Sequence, residues 1–358
     1  MATTLPLHTL IVEPTDGRDA ILTALSSATT SVEVTIYELS DSQILAALIA
    51  AQKRNVTVRV LYNWYSFDAD TQASDVIPYV QQLTSAGVSC RPAPREFEVT
   101  HEKALVVDGR QALILTFNLV GEYFESTRDF GVVSIVPAEV AEVASVFEAD
   151  WNSTPAQTSV ATLVWSPTNS RLRLLALIGG AAKSLDVYNE ELSDPAILSS
   201  LVSAAARGVV VRVMAAVLTA DGSDSGPNEN APGITYLNSK GVTAVCKAFP
   251  VSTPKGMVPI YLHAKVIVAD FGSSGARAFI GSENFSCVSL DDNRECGIIV
   301  DEPAILARLE ATFQADWIQP SVAVSPDTTP LKACPTDAVA RTRSRVDSRL
   351  PGSPPADP

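Results

Sequence analysis

The chain has 358 residues, of which 46% are hydrophobic and 18% charged, and its formal net charge is −14. This length and composition are typical of a globular protein with two full cores and exclude a fibrous or low-complexity one. Five basic and three acidic residues after position 330 leave about −16 on the rest of the chain. That charge makes nucleic acid an unlikely partner, because binding to a phosphate backbone requires Lys and Arg.

The first predicted elements lie in residues 31–61, SVEVTIYELSDSQILAALIAAQKRNVTVRVL. Runs of β-branched residues flank a stretch with helical periodicity, which predicts a strand, a helix and a second strand. Glu38 follows the first strand, where it either pairs with strand-end groups or contacts a substrate. Trp64 lies in an aromatic-rich loop after the second strand, and these rings either line a substrate groove or pack in the core. Glu38 and Trp64 are therefore candidate substrate-binding residues.

Residues 100–109, THEKALVVDG, place a histidine and a lysine on an apolar, β-branched run that predicts a buried strand. Side chains alternate between the two faces of a strand, so His101 and Lys103 share one face and Asp108 lies on the other. Burying an imidazole and an ammonium group side by side is costly, which points to chemistry. Asp108, on the opposite face, is predicted to be structural.

Polar residues follow this motif at intervals that return later in the chain. Asn118 ends the turn LTFN, which also contains Thr116, and 11 residues later Asp129 follows an arginine in TRDFGVV. Trp151 comes 22 residues after Asp129. The second half of the chain repeats this order of residues at the same intervals.

The second half also repeats the predicted elements and the motif. Residues 184–214 match residues 31–61 at a constant offset of 153 from Glu38 onward, so Glu191 becomes a further candidate for substrate contact. The run YLHAKVIVAD, residues 261–270, repeats the H-x-K-x-x-x-x-D spacing, and strand alternation again predicts that its aspartate is structural. Equal spacing over so many positions indicates an internal duplication. The repeated positions are His263, Lys265, Asp270, Ser282, Asn284, Glu295 and Trp317.

Each repeat has about the size of one domain. Both repeats alternate β-branched strands with apolar-periodic helices, which predicts the α/β class with helices packed on a mixed sheet. We expect one domain in residues 1–155 and the other in residues 156–325. Residues 326–358 lose the hydrophobic periodicity and gain Pro, Ser and Arg, so they are predicted to be a disordered tail.

Cysteine spacing and segment hydrophobicity bear on the compartment. The odd number of cysteines leaves at least one unpaired, and we expect all of them to be small buried hydrophobic residues without a disulfide or a metal. The chain has no apolar run long enough to span a membrane and no signal peptide, so as written it is expected to be cytoplasmic. If a leader was removed, the protein would be secreted or periplasmic. The cysteines, none in a C-x-x-C pair, are Cys90, Cys246, Cys287, Cys296 and Cys334.

The paired H-x-K-x-x-x-x-D motifs, each followed by a turn similar to G-S-x-N and then by an acid, resemble those of the phospholipase D superfamily. The resemblance covers the chain from about residue 8 to about residue 320. It implies two tandem phospholipase D-like α/β sandwich domains related by a pseudo-two-fold axis, with a single active site at their interface. It also implies cleavage of phosphodiesters through a phosphohistidine intermediate, without a metal ion or another cofactor.

The resemblance implies a role for each repeated residue. His101 would be the nucleophile and His263 the general acid, and the reverse assignment stays open because the two halves are nearly symmetric. In the first turn, Leu115 stands where the family pattern has glycine. The other implied roles are to hold the phosphate (Lys103, Lys265), donate amide hydrogen bonds (Asn118, Asn284), orient the imidazoles (Asp129, Glu295) and contact the substrate through a hydroxyl group (Thr116, Ser282).

The family includes enzymes for several phosphodiesters, so the fold alone leaves the substrate open. We expect hydrolysis or headgroup exchange on glycerophospholipids, with water or an alcohol as acceptor and with peripheral membrane contact. One alternative is a metal-independent nuclease, which the negative charge disfavours. Another is a phosphatidyltransferase similar to cardiolipin synthase. A binding protein that has lost catalysis is a third class, and two intact motifs argue against it.

Overall fold

Two mixed β-sheets flanked by helices make up the molecule, and each sheet is formed mainly by one half of the chain. The predicted fold of two tandem α/β sandwich domains is confirmed. The structure is a computed structural model, and none of the helices that it describes is long and apolar enough to cross a membrane. It describes residues 6–64, 72–219, 227–253 and 256–334.

The first half alternates strands and helices along the chain. Its elements are β1 (His8–Glu13), α1 (Asp19–Ser27), β2 (Ser31–Ile36), α2 (Ser42–Lys53), β3 (Thr57–Tyr62), α3 (Gln72–Ser85), β4 (Ser89–Pro92), β5 (Ala104–Val107), β6 (Gln111–Leu115), α4 (Tyr123–Ser126), β7 (Thr127–Ser134) and α5 (Pro137–Trp151). Strands β2, β3 and β4 are parallel, whereas β5, β6 and β7 continue the sheet in antiparallel order. The strand, helix and strand predicted in residues 31–61 are β2, α2 and β3.

The second half repeats this order and adds a hairpin. Its elements are β8 (Leu163–Ser166), α6 (Ser170–Gly180), β9 (Ser184–Asn189), α7 (Pro195–Ala206), β10 (Val210–Ala215), α8 (Ala231–Ser239), β11 (Thr243–Lys247), β12 (Phe249–Thr253), β13 (Gly256–Leu262), β14 (Val266–Ala269), β15 (Arg277–Gly281), α9 (Cys287–Asp291), β16 (Glu295–Val300), α10 (Pro303–Trp317) and β17 (Ser321–Val322). Strands β9, β10 and β11 are parallel, and β14, β15, β16 and β8 are antiparallel.

The shared letters LSD in the two repeats begin the matching helices α2 and α7. The Asp41 carboxylate accepts the main-chain N–H of Gln43 at 3.0 Å, and the Asp194 carboxylate accepts that of Ile197 at 2.9 Å. An aspartate at this position satisfies N–H groups that have no partner within the helix, which stabilises a helix by about 1 kcal/mol. The repeated aspartates therefore fix where both helices begin.

Strand β13 joins the two halves directly. Its residues Tyr261 and Leu262 pair in parallel with Thr127 and Arg128 of β7, so the hairpin of β12 and β13 extends the first sheet. The predicted boundary near residue 155 falls between α5 and β8, but the first sheet also takes strands from the second half. The two halves are thus joined by main-chain hydrogen bonds as well as by side chains.

A hydrophobic core and two buried ion pairs cross the interface between the halves. The ring of Tyr188 packs against Phe130 of the first half, with centroids 5.5 Å apart. Arg128 donates two hydrogen bonds to the carboxylate of Asp316, at 2.7 and 3.0 Å. The reciprocal pair joins Arg294 to Asp150 at 2.8 Å. Each half therefore contributes one arginine and one aspartate, as a pseudo-two-fold axis requires.

The prediction that each H-x-K motif lies within one continuous strand is wrong. Residues 101–103 precede β5, and residues 263–265 form the break between β13 and β14. The cause is a change of partner. The N–H of the first histidine donates to the Arg294 carbonyl at 2.9 Å, and that of the second donates to the Arg128 carbonyl at 3.2 Å. The main chain of each motif is thus hydrogen-bonded to the opposite half at its histidine. It joins the sheet of its own half only after its lysine.

Asp108 and Asp270 follow the strands β5 and β14 and hold a neighbouring turn. The Asp270 carboxylate accepts main-chain N–H groups of residues 182–184 at 2.6 to 3.1 Å. The Asp108 carboxylate accepts those of residues 29–31 at 2.7 to 3.1 Å. Both have left-handed backbone, with φ of 56° and 54°, which aspartate tolerates. Both carboxylates therefore serve the scaffold.

Asparagine at position 270 is expected to destabilise the fold by about 1–3 kcal/mol, because it offers one acceptor oxygen in place of two and carries no charge. Burial acts to raise the pKa of Asp270, but the backbone hydrogen bonds outweigh it and hold the pKa below its ordinary value. The stabilisation is therefore complete above about pH 5 and is lost as the pH falls through the lowered pKa. Urea unfolding at pH 7 and at pH 4 measures both effects.

The matched comparison for Asp270→Asn is Lys265→Ala. The first variant should lose more stability, whereas the second should lose more turnover per folded molecule. Asparagine tolerates left-handed backbone, so the comparison isolates the carboxylate rather than strain. Equal unfolding midpoints for Asp270→Asn and the wild type at pH 7 would contradict the scaffold role.

The expectation of five unpaired cysteines is wrong for two of them. Cys287 of α9 forms a disulfide with Cys334, 47 residues later. Leu331 packs against the core of the second half, and the N–H of Asp327 donates to the Thr235 hydroxyl at 3.0 Å. The first nine residues of the predicted tail therefore contact the second half, and residues 335–358 lie outside the described residues. The unpaired cysteines are Cys90, Cys246 and Cys296.

Candidate active site

Two imidazoles lie at the interface, and each is held by an acid of the opposite half. Nδ1 of His101 lies 2.8 Å from Glu295 Oε2, and Nδ1 of His263 lies 3.0 Å from Asp129 Oδ1. A carboxylate can only accept a hydrogen bond, so in both histidines Nδ1 carries the proton and Nε2 stays available for chemistry. The acids expected to orient the imidazoles lie within hydrogen-bonding distance of them across the interface, and neither half completes its own pair.

The two orienting acids are themselves fixed by hydrogen bonds from their own half. Glu295 Oε1 accepts from the Ser289 hydroxyl at 2.6 Å and from the Asn293 amide at 3.0 Å. Asp129 accepts from the hydroxyl groups of Thr116 at 2.5 Å and Thr127 at 2.6 Å. These hydrogen bonds hold each carboxylate in place and leave it able to accept one more hydrogen bond, from its histidine. The fixed carboxylate in turn fixes the orientation of the imidazole.

Both motif lysines are fully buried beside their histidines. Lys103 Nζ donates to the His101 carbonyl at 2.6 Å, and Lys265 Nζ donates to the His263 carbonyl at 2.5 Å. Burial lowers the pKa of Lys103 to about 7, against the attraction of neighbouring carboxylates such as Glu295. An ammonium group that has little water around it interacts strongly with an incoming anion.

Each of the two site asparagines donates a hydrogen bond to an acidic side chain. The Asn118 amide donates to Glu38 Oε2 at 3.0 Å, as expected for a residue facing the site. In the second half the structure corrects the prediction. Glu191, which was matched to Glu38, accepts the Ser193 hydroxyl at 2.9 Å, whereas its neighbour Glu190 accepts the Asn284 amide at 3.2 Å. The acid of this half that faces the site is thus Glu190.

Tyrosine rings surround the imidazoles, and motif spacing does not reveal them. Tyr37 lies edge-on to His101 with ring centroids 4.9 Å apart, and Tyr123 lies edge-on to His263 at 4.8 Å. The Tyr261 hydroxyl donates to Glu190 Oε1 at 2.8 Å. For Tyr37 and Tyr261 a usable signal is their position, since each lies next to a strand end, whereas Tyr123 begins α4 and has no such signal. The rings give the site apolar walls around its charged groups.

Three predicted substrate contacts are turned toward the protein. Thr116 bonds to Asp129 and accepts the Phe130 N–H at 2.9 Å. The Ser282 hydroxyl accepts the Cys296 N–H at 3.2 Å. Trp64 packs against Tyr62 and the core of the first half. Both hydroxyl groups therefore position the strands that carry the acids. Of the five residues predicted to contact the substrate, only Glu38 faces the site, because Glu191 is also turned away from it.

Two further buried acids lie behind the His101 side of the site. Glu102 is buried beside Asp150, and burial raises its pKa to about 8. Glu283 is fully buried, and burial with the nearby charge of Glu295 raises its pKa well above the ordinary value. A Cβ atom added to Gly281 would meet the Glu283 carboxylate at 2.3 Å, so this glycine makes room for it. In both acids burial thus favours the protonated form.

The described residues contain one grouping of acidic, histidine and cysteine side chains close enough to share a metal ion. It consists of Asp194, Cys287 and Cys334. The two sulfurs form the disulfide and are not available as thiolate ligands. The grouping is also separate from the imidazole–carboxylate pairs. A metal-independent site stays a prediction.

A protein-family model matches both halves of the chain. The model is described as a cardiolipin synthase, phospholipase D-like domain, and it matches residues 21–151 and 174–317. Together these stretches cover more than half of the chain, and each contains one H-x-K motif. The chain belongs to the phospholipase D superfamily. The family predicted from the paired motifs is therefore confirmed, and members of this superfamily act on phosphodiesters.

Two solved structures are similar to this phospholipase D superfamily chain over almost its whole length. Phosphatidylserine synthase from Haemophilus influenzae Rd KW20 is 12% identical, with a TM-score of 0.66, and the match covers 97% of this chain and 95% of that chain. Polyphosphate kinase from Porphyromonas gingivalis is 15% identical, with a TM-score of 0.63 over 95% of this chain. This chain spans about half of the kinase, 55%. No curated protein matches this chain in a sequence comparison.

Proposed function

We propose that this protein is a phosphodiesterase of phospholipase D type that cleaves or exchanges the headgroup of glycerophospholipids. The pair of imidazoles, each bonded through Nδ1 to a carboxylate of the opposite half, carries the proposal. Neither of these hydrogen bonds uses Nε2. A displacement at phosphorus needs one of them as nucleophile and the other as proton donor to the leaving oxygen.

The first step breaks the bond between phosphorus and the headgroup oxygen. The Nε2 lone pair of His101 attacks phosphorus, while protonated His263 gives its Nε2 proton to the departing oxygen. The headgroup leaves as an alcohol, and the phosphatidyl group is held on His101. In the second step His263, now neutral, takes a proton from water or an alcohol, whose oxygen attacks phosphorus and releases His101. Water yields phosphatidic acid, and an alcohol yields a new phosphodiester.

The environment of His101 supports this residue as the nucleophile. Burial, reinforced by the charge of Lys103, lowers the pKa of His101 to about 4 even though Glu295 opposes the change. At neutral pH the imidazole therefore has its Nε2 lone pair free, as a nucleophile requires. The reverse assignment would need a proton on the imidazole where burial disfavours it.

The lysines and the asparagines supply charge and hydrogen bonds for the phosphate oxygens. Lys103 and Lys265 are buried next to the imidazoles, and the amides of Asn118 and Asn284 point to the same region. Such groups stabilise the charge that develops on the non-bridging oxygens, and each can contribute roughly 10²-fold in rate. A phosphate beside Lys103 would also raise the pKa of that lysine and keep it charged.

Incubation with a mixed panel of phospholipids, ethanol and EDTA tests the proposal. Phosphatidylethanol is expected beside phosphatidic acid, and mass spectrometry detects both. Phosphatidylethanol forms only if an intermediate can be captured by an alcohol, so its appearance reports the lipid substrate and the two-step reaction together. Absence of both products from every lipid would overturn the proposal. Dependence on added zinc or calcium would overturn its metal-independent mechanism.

Phosphatidyl transfer is a second candidate, because the matching family model is described as cardiolipin synthase. The same assay tests it when phosphatidylglycerol replaces ethanol as the acceptor. Formation of more cardiolipin than phosphatidic acid would favour transfer over hydrolysis. Single-stranded DNA serves as the control for a nuclease, which the charge of about −16 on residues 1–330 disfavours.

A further inference from the structure

One carboxylate already lies on the groups that would hold the substrate phosphate. Glu190 Oε2 lies 2.8 Å from Lys265 Nζ, 3.2 Å from the Asn284 amide and 3.5 Å from Nε2 of His263. Its other oxygen accepts the Tyr261 hydroxyl at 2.8 Å. Burial alone would raise the pKa of Glu190, but the charges of His263 and Lys265 outweigh it and hold the pKa well below the ordinary value. A phosphate must therefore displace an ionised side chain.

The two halves place their site acids at different positions of the repeat, since Glu38 accepts from Asn118 in the first half and Glu190 accepts from Asn284 in the second. At the offset of 153 that relates the repeats, Glu190 corresponds to Tyr37. The Tyr37 ring faces His101 with centroids 4.9 Å apart, and Lys103 Nζ lies 5.2 Å from the ring centroid. The first half thus places a neutral ring where the second half places a carboxylate. The scaffold does not require an acid there.

The charge of the site is unfavourable for a phosphodiester without a cation. Two lysines face four carboxylates, so with both lysines charged the site carries about −1 when one imidazole is protonated and about −2 when neither is. The lowered pKa of Lys103 makes this charge more negative near neutral pH. A phosphodiester adds another negative charge. An ammonium group on the substrate would restore the balance. The rings of Tyr123 and Tyr261 lie beside His263, with centroids 4.8 and 6.4 Å from that of the imidazole, and aromatic rings attract such a cation. The four carboxylates are Glu38, Asp129, Glu190 and Glu295.

We infer that Glu190 is a specificity-determining residue that selects phosphodiesters bearing an ammonium group. The phosphate takes Lys265 and Asn284, and the displaced carboxylate turns to pair with the cation among the tyrosine rings. The inference rests on the proposed function, because it assumes that the phosphate binds between the two imidazoles. Zwitterionic headgroups are preferred to neutral or anionic ones.

A matched pair of substrates isolates the cation. One is a short-chain phosphatidylcholine, and the other carries 3,3-dimethylbutanol in place of choline, which replaces the charged nitrogen by carbon at the same shape. The wild type is expected to favour the choline lipid by at least about tenfold in kcat/KM, the size of effect that a partly desolvated cation site gives. Glu190→Gln keeps the shape and hydrogen-bonding capacity of the side chain, and it should reduce the preference to about twofold or less.

Glu191→Gln is the matched control, since the neighbouring carboxylate bonds to Ser193 and should leave the preference unchanged. Inorganic phosphate gives a second readout. It should inhibit Glu190→Gln at a lower concentration than the wild type, because the competing carboxylate is gone. Equal kcat/KM for the two lipids in the wild type, or an undiminished preference in Glu190→Gln, would overturn the inference. If neither lipid is cleaved, the proposed function fails, and calorimetric binding of the two lipids still decides the inference.

Discussion

Alanine at position 101 is expected to lower turnover of a natural phospholipid by at least about 10⁴-fold, and alanine at position 263 should do nearly the same. The two imidazoles act on one displacement, so removal of either disables the whole reaction. Initial rates per folded molecule, with circular dichroism to establish folding, measure the loss. The bonds of His101 and His263 to carboxylates of opposite halves are the reason to expect equal dependence on both.

A substrate with a good leaving group separates the two roles. A p-nitrophenyl phosphodiester needs no proton on its departing oxygen, so His263→Ala should recover much of its first-step rate on this substrate, whereas His101→Ala should not. The opposite pattern would reverse the assignment. His8→Asn is the control, because this third histidine bonds to Glu139 and Glu302 away from the site. More than a few per cent of the wild-type rate on phospholipid in both alanine variants would rule out the shared site.

Glutamine in place of Glu295 is expected to lower kcat by about 10² to 10⁴-fold, although the residue belongs to the half opposite its histidine. An amide cannot stabilise a charged imidazole, and it can donate as well as accept, so it no longer fixes the proton on Nδ1 of His101. Asp129→Asn should act in the same way on His263. Single-turnover rates, measured with saturating enzyme, separate this effect from substrate binding.

Asp150→Asn is the comparison for Glu295→Gln. Asp150 is also a buried acid at the interface, but it bonds to Arg294 and not to an imidazole. The Asp150→Asn variant should mainly lower the thermal unfolding temperature and have a smaller effect on kcat. The reason is that an unpaired buried arginine destabilises the fold. A kcat within about threefold of wild type in Glu295→Gln would show that orientation by this carboxylate is not needed.

Much of the architecture could be predicted because the chain contains it twice. The paired motifs and the repeated interval from each asparagine to its acid indicated the residues that the structure brings together at the interface, and β-branched runs around apolar helices predicted the α/β sandwich. Spacing could not show that each acid serves the opposite histidine. Asp129 follows His101 by 28 residues and Glu295 follows His263 by 32, and these intervals fit pairing within a half and pairing across halves equally well.

Two errors have local physical causes. Alternation of strand faces assumes unbroken pairing, whereas residues 263–265 switch from the first sheet to the second between β13 and β14. Alignment of the repeats matched Glu191 to Glu38, and their main chains do correspond, since both carbonyls accept an N–H from the residue after the site asparagine. Yet the acid that turns into the site is Glu190, and a side chain's direction beyond a strand end is not encoded in repeat spacing.

The disulfide was beyond prediction for a different reason. Cys287 and Cys334 are 47 residues apart, and no pattern in the intervening sequence marks them as partners. Pairing depends on where the chain returns after α10, since residues beyond β17 pass back over the second half toward α9. Residues 326–334 were predicted to belong to a disordered tail because they contain few hydrophobic residues that could pack.

The exchange of acids between the halves also bears on how such a molecule can change over time. A single repeat acting alone would have to pair with an identical copy, and every substitution would appear on both sides of the site. Once both repeats lie in one chain, each side can vary separately. Tyr37 stands opposite Glu190, and Leu115 covers Gly131 where Gly281 leaves space for the Glu283 carboxylate. Covalent linkage of the repeats is therefore what permits a site with two unlike walls.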